Sequence, residues 1–189
     1  MGIAQGRFVI DAHVHNQRHA LNWKGRGAQP DYVSLAKFRS ESEPYDNSPR
    51  LLYDMERYHV NMSVIMAQSG GNDELSAETV KKYPDKFVAK CNATAYRKKV
   101  SRGETEWSIE GLCKELDELL GTGLFRAGIG EGMPGNPKRD MNKTVPWDER
   151  FEEICHIMEV AQKHKTTVGW HTGGSSGYAG GRTQLGSRS

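Results

Sequence analysis

Five short apolar runs rich in β-formers, separated by segments whose apolar residues recur at helical spacing, restrict the fold of this chain more than any other feature. The runs cover 8–10, 62–66, 87–92, 124–129 and 166–171. Ser48 and Pro49 open the first helical segment as N-cap and first helical residue, and Leu51, Leu52, Met55 and His59 follow at helical spacing. A second helix is expected to open near Asn72 and to be closed by Pro84. A third is expected over 108–120, with Leu112, Leu116, Leu119 and Leu120 on one face and Gly121 at C′, after a charged loop. A fourth opens at Pro146 and Asp148, with Phe151, Ile154, Cys155 and Met158 marking its apolar face. Such alternation is the signature of βαβ units on a parallel sheet. No G-x-G-x-x-G follows the first run, so a dinucleotide-binding sheet has no support. The fold class expected is α/β, a (β/α)8 TIM-barrel type with about the first five β/α units in this chain, in one domain over 1–189.

Catalytic groups of such barrels gather at the C-terminal ends of strands. The first run leads directly into Asp11-Ala12-His13-Val14-His15, and with a strand period of two the three polar side chains are expected to share a face. Two neutral imidazoles held side by side suit a borderline divalent ion such as Zn²⁺. Gly130-Glu131-Gly132 closes the fourth run and His171 the fifth. Thus His13, His15, Glu131 and His171 all fall at expected strand ends. His59, His156 and His164 lie on helices and read as surface groups.

Composition excludes several classes. Lys and Arg number 26 against 24 Asp and Glu, a net charge of +2, which gives no general pull toward nucleic acid or a membrane surface. Cys91, Cys113 and Cys155 are dispersed and odd in number, which argues against a disulfide framework and for a reducing, cytoplasmic setting. No stretch approaches the roughly 20 apolar residues of a membrane span. The polar segment 16–47 is long enough to border a site as a lid or to be a surface excursion.

Taken together, Asp11-Ala12-His13-Val14-His15, the passage from Leu51 to Met66, the run from Lys81 to Phe87, and Trp170-His171-Thr172-Gly173 make the chain resemble the amidohydrolase superfamily. The closest likeness is to the branch with aminocarboxymuconate-semialdehyde and resorcylate-type decarboxylases. The resemblance implies one divalent metal, zinc with manganese as the alternative, held by His13, His15 and His171. Glu131 is expected as a catalytic group; TatD-like members imply a ligating role for a strand-four Glu. The expected activity is hydrolysis of a small carboxylate, ester, lactone or amide through a metal-activated water. The alternatives are non-oxidative decarboxylation of an aromatic or unsaturated acid, and a metal-binding barrel fragment without turnover. Arg18, Arg39 and Arg97 are expected to bind a substrate carboxylate on the grounds of loop position. The Gly- and Ser-rich tail, 173–189, contains no sixth apolar run, so the barrel is expected to be finished by further chain, a partner segment or a homo-oligomer.

Overall fold

The structure, a computed structural model, describes residues 6–19, 43–66, 71–132 and 147–170. Among the described residues there are seven strands: β1 (Ile10–Val14), β2 (Gln17–Arg18), β3 (Tyr45–Asp46), β4 (Met62–Ile65), β5 (Phe87–Cys91), β6 (Gly128–Gly132) and β7 (Val168–Trp170). Five helices accompany them among the described residues: α1 (Ser48–Tyr58), α2 (Asp73–Lys82), α3 (Thr94–Arg102), α4 (Ile109–Gly121) and α5 (Trp147–Lys163). The main sheet has the order β1-β4-β5-β6-β7 and all its pairings are parallel. With helices alternating along it, this is a curled, open sheet matching about five units of a (β/α)8 barrel.

The period of two sorts each strand into a helix-facing and a concave face. Ile65 of β4, Phe87, Ala89 and Cys91 of β5, and Ile129 of β6 are buried with Met55 of α1, Leu112, Leu116 and Leu120 of α4, and Ile157 and Ala161 of α5. Full burial of each large apolar side chain contributes roughly 1.5–3 kcal/mol, so this layer is what holds the helices to the sheet. Met62, Val64, Val88 and Lys90 alternate with these and face the concave side.

Local signals set some boundaries. Asn72 caps α2 by accepting from the Glu74 amide, and Ser108 caps α4 by accepting from the Gly111 amide. Other expectations are corrected. Ser48 lies inside α1, and its amide and hydroxyl both donate to the Asp46 carboxylate, so Asn47 is the residue before the helix. Gly121 also lies inside its helix, and the left-handed conformation after it falls at Gly123, φ 73°. The expected charged loop after β5 contains α3. Its basic run has little apolar periodicity, and its start is secured from a distance, by the Asp73 carboxylate accepting from the Thr94 amide. Strand β6 begins four residues later than expected, because the chain first turns over 125–128, the Gly128 amide donating to the Phe125 carbonyl at 3.0 Å. In α5 Ile157, Ala161 and Glu153 are buried, whereas Phe151, Cys155 and Met158 are exposed, so the apolar face is rotated from the expected one.

The apolar residues of the first run are not covered: Phe8 is 67% and Ile10, at the start of β1, 53% exposed. Strand β1 is the edge of the open sheet, with β4 as its only neighbour in that sheet among the described residues. The two ends of the long polar segment are pinned: β2 and β3 pair antiparallel, and Asn16 and Gln17 are buried against α2, bonding Thr79, Ser76 and the Asn72 carbonyl. Residues 20–42, including Arg39, lie outside the described residues. Among the described residues no helix is long and apolar enough to cross a membrane.

Candidate metal centre

Regular alternation alone would not bring the candidate ligands together. In β1, Ile10 and Asp11 pair with Met62 and Ser63, yet Val14 pairs with Ile65: three residues of β1 run against two of β4. A one-residue slip exchanges the faces of everything beyond it. Asp11 therefore shares the helix-facing side with Ser63, while His13 and His15 come to the concave side with Val64. The expectation that Asp11 shares a face with the two histidines is thereby corrected. The same irregularity recurs in β6, where Ile129 pairs with Val168 but Gly132 with Trp170. Without that slip Glu131 would lie on the side of buried Ile129; with it, Glu131 joins the histidines.

Each slip has a local cause. In β1 the Asp11 carboxylate accepts from the His13 amide at 3.1 Å, giving a partner to an N–H freed from the ladder. In β6 the backbone runs close to β7: a Cβ on Gly128, φ 101°, would lie 2.1 Å from the Thr167 carbonyl oxygen. On Gly130, φ 130°, it would lie 2.5 Å from that of Gly169. Only glycine fits either place.

The three side chains converge. His13 Nε2 is 3.3 Å from His15 Nε2, and Glu131 Oε2 is 3.3 Å from the first and 3.8 Å from the second. Strands β1 and β6 are three spacings apart, roughly 14 Å in a flat sheet whose side chains stand perpendicular to it, so the contact itself measures the curl. His13 is 48% exposed, His15 28% and Glu131 20%, so the cluster is open to solvent and partly sheltered.

The donor set suits a divalent cation. His15 Nδ1 is 2.9 Å from the Met66 carbonyl oxygen, which accepts its proton and leaves Nε2 as a lone pair toward the cluster when the ring is neutral. A lone pair and a carboxylate thus both converge on His13 Nε2, and a single proton there cannot serve both fully. Ligand nitrogens about 2.0–2.1 Å from a tetrahedral zinc lie about 3.4 Å apart, close to the observed 3.3 Å. Among the described residues no other group of three His, Cys, Asp or Glu converges in this way.

A buried network supports Glu131. Asn92, at the end of β5, donates from its carboxamide to the Glu131 carbonyl at 3.1 Å. Its own amide donates to Asp73, which also accepts from the Thr94 amide and hydroxyl. Burial holds the Asp73 carboxyl above the usual aspartate range, against the opposing pull of these donors. Arg97 Nε donates to the Asn92 carbonyl and its guanidinium lies over Trp107, which places this expected carboxylate binder one residue from the cluster. Arg18 is exposed on β2 and donates to the Gln17 carbonyl. His171 lies outside the described residues. Three further histidines are peripheral: His59 ends α1 in a left-handed conformation, His156 pairs with Glu159, and His164 bonds Asp117 at 2.6 Å.

Sequence reasoning missed Asn92 and Lys90. Lys90 lies on the concave face, 8% exposed, and donates to the Thr167 hydroxyl at 2.8 Å. Burial pushes its ammonium below the usual lysine range. The alternating faces of β5 are the signal that could have found both residues, since neither polar side chain has an apolar reason to face inward. A groove of 490 Å³ between α4 and α5, lined by Ile109, Cys113, Asp117, His156 and Glu159, lies on the helix side of the sheet, away from the cluster.

No family model, curated protein or solved structure matches this chain. What the fold and the site define is a partial (β/α) barrel with a His-His-Glu cluster suited to metal ligation at its strand ends, an arrangement consistent with the amidohydrolase superfamily in its broad sense.

Proposed function

We propose that this chain carries the metal site of a metal-dependent hydrolase of the amidohydrolase-related type, acting on a small carboxylate, ester, lactone or amide. The observation that carries the reading is the convergence of His13, His15 and Glu131 within 3.8 Å at the strand ends. These residues would hold one divalent ion, zinc with manganese as the alternative, and His171 at the end of β7 would add a ligand. When bound, such an ion supplies Lewis acidity, activating water near neutral pH and polarising a substrate oxygen. The chain's own groups do the rest. The Met66 carbonyl orients His15. The Asn92 carboxamide holds the Glu131 backbone, so that the carboxylate meets both rings and is placed to take a proton from an attacking water. Arg97, Arg18 and Arg39, candidates by their loop position in the sequence, would draw an anionic substrate toward the site.

Glu131 favours hydrolysis over the decarboxylase reading, because the decarboxylase branch asks for no carboxylate at this strand. Metal analysis after dialysis of the wild type, His13→Ala and Glu131→Gln tests the reading, together with assays for aryl-ester hydrolysis and for CO₂ release from hydroxybenzoates. Metal retained by the wild type and lost by the variants is expected. Equal metal in all three would overturn it, and CO₂ release without ester hydrolysis would replace hydrolysis by decarboxylation.

A further inference from the structure

Lys90 is a cation that the metal cluster does not use. It is 92% buried, and among the described residues it has no carboxylate partner; its ammonium, with three donors, meets the Thr167 hydroxyl alone. Taking a charge out of water costs several kcal/mol unless other groups compensate. Lys90 pairs with Gly128 in register, and its side chain crosses that glycine to reach Thr167 on the next strand. Gly169 is the neighbouring residue of β7, and a Cβ there would lie 3.6 Å from Nζ. Gly128 and Gly169 therefore place no side chain of their own beside the amine. The lysine precedes Asn92 by two residues on the same face, about 7 Å along the strand. Asn92 in turn bonds Glu131. Lys90 and the cluster therefore open onto the same concave face.

We propose that Lys90 anchors an anion subsite on the concave face and receives the carboxylate of the substrate, a role distinct from that of the loop arginines. The choice of substrate class rests on the hydrolase reading above; the subsite itself rests on Lys90 and the glycines. The competing role is a brace, Lys90 to Thr167 to the Ala127 carbonyl, which a neutral side chain of similar length would also supply.

The test uses the full chain, with benzoate as the anionic probe and benzamide as its neutral counterpart. In Lys90→Gln the dissociation constant for benzoate should rise roughly ten- to hundredfold, the worth of one charge-assisted hydrogen bond, while benzamide binding and metal content stay as in the wild type. In the wild type, benzoate should shield Lys90 from reductive methylation, read by peptide mass spectrometry, and this arm decides if Lys90→Gln does not fold. Benzoate bound equally by both proteins, no saturable benzoate binding, or no shielding would overturn the subsite. Metal content is read separately in the same samples. A metal-free wild type that still needs Lys90 for benzoate would sink the hydrolase reading and leave the subsite standing.

Discussion

Replacing Asp11 with alanine removes the side-chain acceptor of the His13 amide and leaves every candidate ligand in place. The bond is 3.1 Å long and exposed, so its loss should cost global stability only about 0.5–1 kcal/mol. The effect on the metal centre should be larger. If β1 relaxes into regular pairing beyond Asp11, His13 falls opposite Ile65 instead of Val64 and its ring passes to the helix side. His15 would be displaced with it, although its bond to the Met66 carbonyl and the Met66 amide bond to Val14 resist the change. Loss of such a supporting group weakens metal binding by about 10- to 100-fold. Competition between the protein and a chromogenic zinc chelator measures this for the wild type, Asp11→Ala and Asp11→Asn, with urea denaturation alongside. Asparagine keeps an acceptor oxygen and should retain most of the affinity. A zinc affinity of Asp11→Ala within twofold of wild type, at unchanged zinc stoichiometry, would show that the slip in β1 does not depend on Asp11.

Other consequences are open to direct measurement. Gly128→Ala should destabilise the protein by at least about 2 kcal/mol in urea, because a Cβ meets the Thr167 carbonyl at a strained φ, whereas Gly123→Ala, with open space, should cost about 1 kcal/mol or less. Asp73 gives a pH signature of definite sign. Its folded pKa is raised, chiefly by burial, so its contribution is fully present below the unfolded value of about 4 and is lost as pH rises through the folded one. The stability advantage of wild type over Asp73→Asn should therefore shrink from pH 4 to pH 7, and an advantage that grows would contradict the assignment. The Asp117 carboxyl is held below its usual range by Lys163 and His164, so this tie between α4 and α5 should survive mild acid and be lost only as pH falls through the depressed value. Asp117→Asn should flatten the acid limb of the stability profile.

Much of this molecule was legible in its sequence because it depends on neighbours close along the chain. The alternation of apolar runs with helical spacing names the fold class, since side-chain periods of 2 and 3.6 are properties of the local backbone. The caps at Asn72 and Ser108 reach only two or three residues. The positions of His13, His15 and Glu131 at strand ends follow from the same pattern. What faces what was decided by tertiary structure. A strict period of two puts Asp11 beside His13, and Glu131 on the side of Ile129; each assignment is reversed by a one-residue slip visible only against the adjacent strand. Likewise α3 takes its start from Asp73, on another helix, and β1 is exposed because of its place in the strand order. The cluster itself joins strands three spacings apart through the curl of the sheet, a property of the whole layer and of no single run of residues.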